Sequence, residues 1–194
     1  MILIADLTGF KQLRVFLFTL TYATLTALVL LLDAIFPYDE LGPLQSVVPV
    51  LVSIATGIMK ALNLVNITSF GNTMLINAGG TVRALVVYWP SAGVHSFLIF
   101  TGIAVAFLLK QKIGGLKFAV YAVLGALGTI SVNIMRIVLL AYYTAYYPPQ
   151  YFQSFHDVIG EILFLPWLVA FMLIVHYAEK HSNRAIPSLS AGIS

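Results

Sequence analysis

The chain has 194 residues, of which 60% are hydrophobic and only 9% are charged, and its formal net charge is +3. Soluble domains carry about 25% charged residues, so this composition excludes a soluble globular domain, a disordered chain and a disulfide-stabilised secreted module. The scattered basic residues give no indication of nucleic-acid binding, and the absence of cysteine excludes disulfides and cysteine-ligated metals. The length allows about four or five membrane-spanning helices and predicts one integral membrane domain over residues 1–194.

The first part of the chain contains two apolar segments of different character. Residues 15–37 form a long apolar run, which we predict to be a retained transmembrane helix rather than a signal peptide. Residues 44–65 are also apolar, but polar side chains recur along them at helical spacing. These side chains are Ser46, Ser53, Thr56, Lys60 and Asn63. Such a narrow polar stripe is typical of a helix that lies in the membrane interface or lines a cavity.

A strand-like region occupies residues 66–90. We predict a small β-hairpin there, with strands Thr73–Asn77 and Thr81–Tyr88 joined by the turn at residues 78–80. Three further apolar spans follow, over residues 92–109, 118–147 and 157–178. The predicted fold is therefore an all-α polytopic membrane protein. It has about four transmembrane helices, a re-entrant or interfacial outer helix and the small hairpin.

The basic residues predict how these segments are oriented. The positive-inside rule assigns the loop from Lys110 to Lys117 to the cytoplasm, together with both chain ends, the first of which carries Lys11 and Arg14. If residues 44–65 crossed the membrane, the lysine-rich loop would lie outside. We therefore predict that residues 44–65 do not cross.

Arg136 and Asn133 lie in the apolar run TISVNIMRIVLLAYY. An ionisable residue inside a membrane is costly and is therefore a functional candidate, and the spacing of three places the asparagine on the same helical face. In one interpretation Arg136 extends to the lipid headgroups, or pairs with Asp157 or Glu161 for structural reasons. In the other it binds an anion or a carbonyl oxygen in a water-filled cavity.

The remaining candidates flank two helix starts. Ser91 is either an N-cap residue or a nucleophile favoured by the helix N-terminus, and Gly93 leaves room for a substrate backbone. His95, one turn beyond Ser91, is more typical of a core histidine than of a site residue.

His156 is either an interfacial anchor or a general base. Its neighbour Asp157 points about 100° away on a helix, so Asp157 is not required to orient the histidine ring. On the predicted topology these groups and the arginine share the extracytoplasmic face.

The segments WPSAGVHSFLIF, NIMRI and FHDVIG, in this order, resemble the motifs of the exosortase/archaeosortase family. In the first segment, Ser91 occupies the position of the nucleophilic cysteine and Gly93 that of the motif glycine. The second matches the family's Asn-x-x-Arg-Ile motif through Asn133 and Arg136, and the third supplies His156. The resemblance covers roughly residues 44–165. It implies a multi-pass membrane enzyme that recognises a C-terminal tripartite sorting signal on exported proteins and cleaves near it.

The resemblance also implies roles for these residues. The residue at position 91 attacks, His156 acts as the base and Arg136 stabilises the oxyanion, with Asn133, Gly93 and His95 in support and no cofactor or metal. The implied partners are the exported substrate protein and a membrane lipid, to which archaeal members are thought to pass the new carboxyl end. Serine at the cysteine position has two explanations: a replacement that traps an inactive form, or a natural serine variant.

Two further functions compete with the enzyme. One is a non-catalytic membrane factor that binds the same sorting signal. The other is a small transporter subunit that uses Arg136 to bind an anionic ligand. A transporter predicts intramembrane charge reachable from both sides, and the clustering of the candidates on one side counts against it.

Overall fold

The computed structural model describes residues 15–16, 19–20, 22–31, 34–35 and 43–185. The chain divides into two compact units, Met1–Pro43 and Leu44–Ser194. In the first unit the described residues are helical and include the apolar segment Tyr22–Leu31. Residues 17–18, 21, 32–33 and 36–37 of the predicted span over residues 15–37 lie outside the described residues, and so do the basic residues at positions 11 and 14. One domain over residues 1–194 stays a prediction.

The described part of the second unit combines helices with a small antiparallel sheet. After a 3-10 turn (Pro43–Val47), the elements are α1 (Val48–Ala61), β1 (Asn66–Phe70), β2 (Thr73–Ala78), β3 (Thr81–Val86), α2 (Val94–Lys110), α3 (Gly115–Tyr146), a second 3-10 turn (Pro149–Tyr151) and α4 (Phe152–Ala185). Helix α3 is central, because it packs against α1, α2, α4 and the sheet. Its buried face includes a row at intervals of four: Gly125, Thr129, Asn133, Ile137 and Ala141.

Helix α1 is amphipathic and short. Its buried residues recur at spacings of three and four, and they are Val48, Val52, Ala55, Thr56 and Met59. Together with the end of the 3-10 turn, the continuous apolar helical stretch is Gln45–Ala61, which extends about 26 Å at 1.5 Å per residue and is slightly shorter than the roughly 30 Å of a hydrocarbon core. Of the predicted polar stripe, Ser53, Lys60 and Asn63 are exposed, whereas Thr56 belongs to the buried face.

The predicted hairpin is a three-stranded sheet with the order β1-β2-β3. Strands β2 and β3 match the prediction, except that β2 extends to Ala78, which was predicted in the turn, and β3 ends at Val86. The prediction missed β1, because only Ile67 of its five residues is buried and the strand shows little alternation. The turn between β2 and β3 has positive φ at both Gly79 and Gly80, as a two-residue type I′ turn requires.

Helices α2, α3 and α4 form a bundle. Its core cluster consists of Phe100, Ala104, Leu108, Ile113, Leu168, Phe171 and Val175. Among the described residues, Gly115–Tyr146 and the helical stretch Pro149–His181 are long and apolar enough to cross a membrane, while α2 has 17 residues. This is a helical architecture of the membrane type. It supports two spans by length and composition and does not support the predicted count of about four.

Candidate functional site

Ser91 lies in a turn and not at a helix cap. Helix α2 begins at Val94, and its N-cap residue is Gly93. The interpretation of Ser91 as an N-cap serine is therefore wrong, and so is the assumption that Ser91 and His95 share one helical face. The turn is held by its own backbone, since the amide of Ala92 donates to the carbonyl of Tyr88 at 3.0 Å.

Gly93 and Asn133 fix the far side of this turn. Gly93 has φ +97°, a conformation that disfavours other residues, and a Cβ there would collide with the Asn133 side chain. The Asn133 amide is buried and donates to the Gly93 carbonyl at 3.4 Å. Asn133 therefore supports the Ser91 turn, although the sequence pattern grouped it with Arg136.

Gln45 holds the segment that leads to Ser91. Its side chain is 4% exposed. The side-chain amide nitrogen donates to the Val87 carbonyl at 3.0 Å, and the side-chain oxygen accepts from the Trp89 amide at 2.8 Å. Gln45 thus satisfies one acceptor and one donor of the chain between β3 and the turn. Nothing in the sequence predicted this residue, because its partners lie more than forty positions away.

We expect the variant Gln45→Leu to lower the free energy of unfolding by about 1–3 kcal/mol, because it leaves the Val87 carbonyl and the Trp89 amide buried without partners. Thermal unfolding of the detergent-solubilised protein measures the effect as a lower Tm. The matched control is Gln111→Leu, at an exposed position with no side-chain hydrogen bond in the structure. Equal Tm values for the two variants would contradict the role of Gln45.

An aromatic cluster positions the start of α4. The ring of Tyr143, near the end of α3, stacks on Phe155 at a centroid distance of 4.5 Å and meets Phe152 edge-on at 6.1 Å. The Tyr143 hydroxyl also donates to the Pro148 carbonyl at 3.2 Å. Helix α4 begins five residues earlier than the predicted span, and His156 consequently lies in its second turn.

The structure brings Ser91, Arg136 and His156 together. Nε2 of His156 lies 3.2 Å from the Ser91 hydroxyl oxygen and 3.3 Å from Nη2 of Arg136. The three side chains come from the turn before α2, from α3 and from α4. Packing alone does not require a hydroxyl, an imidazole and a guanidinium from three elements to meet at one nitrogen.

The partners of His156 select its tautomer. Arg136 can only donate, so Nε2 must accept. On the other side of the ring, Nδ1 lies 3.2 Å from the Asp157 carboxylate, which accepts. The imidazole therefore carries its proton on Nδ1, and the single lone pair of Nε2 is shared between Arg136 and the Ser91 hydroxyl.

The helical spacing does not require Asp157 to orient this ring, but in the structure the carboxylate contacts it. Its Oδ1 contacts Nδ1 of His156, and it also accepts a 2.8 Å hydrogen bond from Gln153, one turn earlier. A helical step of about 100° separates the Cα–Cβ directions of neighbours, but rotation about the side-chain bonds of both residues closes the gap. The sequence did contain one sign of this arrangement: the spacing of four between Gln153 and Asp157 predicts that their side chains meet on one helical face.

Arg136 is held close to His156. Its Nη2 also lies 3.4 Å from the His156 carbonyl, while its buried Nε has no hydrogen-bond partner among the described residues. A Cβ at Gly160 would lie 3.2 Å from the guanidinium carbon, so the glycine makes room for this group. Among the described residues, no ion pair links Arg136 to Asp157 or Glu161. The paired, structural interpretation of the arginine therefore has no support in the geometry.

His95 lies outside this group. Its ring packs edge-on against Trp89 at 5.7 Å, and within the described part of the chain its buried Nε2 has no hydrogen-bond partner. This packing agrees with the core interpretation of His95 rather than with a role in the site. In the part of the chain that the structure describes, no group of three or more His, Asp or Glu side chains could hold a metal ion.

Comparison with known proteins gives one match. A family model described as a transmembrane exosortase (Exosortase_EpsH) matches residues 1–173, which is most of the chain. No curated protein and no solved structure matches the chain significantly.

Proposed function

Because this chain belongs to the transmembrane exosortase family, we propose that its site is that of a membrane peptidase or transpeptidase, which cleaves the C-terminal sorting signal of exported proteins. The observation that carries the proposal is the convergence of Ser91, Arg136 and His156 at one imidazole nitrogen. A family match alone implies such a site, but the meeting of these three side chains supports it independently.

The geometry supports an acyl-transfer reaction. The nucleophile at position 91 attacks the scissile carbonyl and gives its proton to Nε2 of His156. As Nε2 takes the proton it can no longer accept from Arg136, so the guanidinium turns from that nitrogen to the carbonyl oxygen and stabilises the negative charge that develops there. The imidazolium then protonates the leaving amine, and the acyl group stays on the enzyme. Water, or a nucleophilic lipid headgroup, releases it and restores the free site.

Serine at position 91 is a weaker nucleophile than the cysteine of the family motif, so it limits the rate of the proposed cleavage. A hydroxyl is a weak nucleophile unless a base takes its proton, whereas a thiol ionises far more readily. In our proposal, this chain is either an inactive form of a cysteine enzyme or a natural serine variant. Both alternatives keep the same role for His156 and Arg136.

The proposed location of the site is the extracytoplasmic side of the cell membrane, in a multi-pass protein. The support is the charge pattern, with Lys110, Lys112 and Lys117 at the opposite end of the bundle from His156. In the structure the Lys117 ammonium pairs with Glu179 at 3.1 Å, which joins α3 to α4 at that end. An exported substrate reaches an extracytoplasmic site after translocation.

Cleavage of a co-expressed, exported reporter that carries a C-terminal tripartite signal tests the proposal. We expect Ser91→Cys to cleave the reporter and Ser91→Ala to be inactive, because only the thiol variant supplies a readily ionised nucleophile. Cleavage is measured by the size of the reporter and by mass spectrometry of its new C-terminus. The unsubstituted chain, tested in parallel, distinguishes a working serine variant from an inactive form.

The second candidate is a non-catalytic factor that binds the same signal. It predicts that Ser91→Cys and Ser91→Ala retain the reporter equally and that neither cleaves it. That result would overturn the enzymatic proposal. The close approach of His156 to the Ser91 hydroxyl favours the enzyme, since binding alone does not need a base at that position.

A further inference from the structure

Strand β3 lies at one edge of the three-stranded sheet. The amide of Val87 donates to the Asn72 carbonyl at 2.9 Å, which extends the β2–β3 ladder by one hydrogen-bonded pair. Because hydrogen-bonded and non-hydrogen-bonded pairs alternate in an antiparallel ladder, the backbone groups of every second residue point away from β2. These residues are Val82, Ala84 and Val86. Within residues 43–185, no strand pairs with this edge.

A cavity of about 440 Å³ lies beside this edge. Its lining includes Arg83 and Ala84 of β3 and the rings of Tyr143, Tyr147 and Phe152. The volume is within the usual range of binding pockets, roughly 300–1,000 Å³. Most of the lining side chains are apolar or aromatic, so the cavity suits an apolar side chain.

Arg83 connects the strand to the helix that forms the other wall. Its Nη1 donates to the carbonyls of Thr144 and Tyr147 at 2.7 and 3.1 Å, at the C-terminal end of α3. Carbonyls at a helix end lack intrahelical partners and favour a cation. Arg83 therefore joins the two walls of the cavity.

The edge of β3 and the cavity lie close to the site formed by Ser91, Arg136 and His156. The ring of Phe152 lies 6.1 Å from that of His156. From Val86, five further residues along the chain reach Ser91, and the Gln45 side chain holds the backbone between them. Fully extended, five residues cover at most about 17 Å. A ligand along the β3 edge is thus within a few residues of the nucleophile position.

We propose that the edge of β3 and this cavity form a subsite for an extended peptide, namely the substrate segment that flanks the scissile bond. The peptide backbone pairs with Ala84, and an apolar side chain of the peptide enters the cavity. This assignment rests on the function proposed above. Edge pairing supplies affinity from backbone hydrogen bonds, and pockets for alternate side chains supply specificity. A lipid chain would fill the cavity but leave the backbone groups of the edge unpaired.

The variant Ala84→Pro tests the backbone contact. Proline removes an amide that points away from β2, so the ladder to β2 keeps its hydrogen bonds. In the Ser91→Cys background we expect reporter cleavage to fall about tenfold, as for the loss of one or two hydrogen bonds. The matched control is Ser69→Pro on the outer edge of β1, whose amide also points away from β2 by the register. Its cleavage rate should change less than about twofold. Equal rates for the two variants would overturn the inference.

Photo-crosslinking tests the occupant in a chain whose fold is intact. A benzophenone amino acid is placed at position 84, or at position 69 as the control, in the full-length Ser91→Ala protein co-expressed with the reporter. We expect an adduct with the reporter at position 84 only. Absence of that adduct overturns the inference, as does an adduct with lipid or with the chain's own residues 1–43. If the adduct forms but Ser91→Cys does not cleave the reporter, the subsite is supported and the enzymatic proposal is refuted. If Ser91→Cys cleaves the reporter but no adduct forms, the enzymatic proposal is supported and the subsite is refuted.

Discussion

Replacing Arg136 with lysine is expected to lower the rate of reporter cleavage about 100-fold in the Ser91→Cys background, as is typical for the loss of one oxyanion donor. Arginine presents several donors in a rigid plane, and here Nη2 reaches both the ring and the carbonyl of His156. Lysine keeps the positive charge but has one flexible ammonium. The room that Gly160 leaves beside the guanidinium is therefore filled only in part by the lysine head. The rate of appearance of the cleaved reporter is the measurement.

The lysine variant also separates the two interpretations of Arg136. If the arginine served only to reach the headgroups, lysine would replace it, because both side chains extend to the interface in the same way. The amount of membrane-inserted protein and its Tm in detergent are the controls, and both should be close to those of the parent. Full cleavage activity in the lysine variant would refute the role of Arg136 at the oxyanion.

Arg136 could be selected from the sequence because its chemistry contrasts with its surroundings, and an arginine within an apolar run is costly unless it has partners. His156 was selected by its match to the family motif and by its place on the same membrane side as the other candidates, because a lone histidine at a membrane interface is also typical of an anchor. The contact of these two side chains with Ser91 was a hypothesis from the family motifs, because no periodic pattern in the sequence predicts it. The contact depends on how three elements pack, and packing is a property of the whole bundle.

Gln45 and β1 show what the sequence does not contain. A buried glutamine that binds the backbone of a distant segment has no local signature, since its partners are a carbonyl and an amide that every residue possesses. Strand β1 is polar and has one buried side chain, so hydrophobic alternation could not reveal it. The pair Gly71-Asn72, a common two-residue hairpin connection, was its one local signal. Tertiary hydrogen bonding, rather than propensity, thus forms the approach to Ser91.

Asp157 illustrates the limit of helical-wheel arguments. The 100° step places neighbouring Cβ atoms on different faces, and it correctly separates side chains that are buried from those that are exposed. The direction of the Cα–Cβ bond does not determine where the terminal atoms of a side chain lie, because the side-chain bonds can rotate. Here His156 and Asp157 meet at 3.2 Å through their terminal atoms, and the carboxylate sets the tautomer of the ring. The general base that we propose therefore depends on a pair of residues, and the helical spacing pointed to only one of them.

Because the chain contains no cysteine, the variant Ser91→Cys introduces a single thiol whose reactivity reports on the site without any substrate. We expect the additional change His156→Gln to slow alkylation of this thiol by iodoacetamide at pH 7 on the order of tenfold. A free cysteine is only a few per cent thiolate at this pH, whereas a neighbouring imidazole that takes the proton forms a reactive ion pair. Glutamine preserves a polar group near the position of Nε2 but cannot accept the proton. The same double variant should cleave the reporter at least about 100-fold more slowly, within the usual range for the loss of a general base.

The matched control for this prediction is His176→Gln, at an exposed histidine on the same helix and far from the turn that carries Ser91. It should leave both the alkylation rate and the cleavage rate within about twofold of the parent. The variant Asp157→Asn should have a smaller effect than His156→Gln, because the amide still offers an oxygen to Nδ1 but no negative charge to stabilise the imidazolium. If His156→Gln and His176→Gln alkylate at the same rate, the histidine does not withdraw the proton from position 91. The 3.2 Å contact would then be a packing contact, and cleavage would need another base.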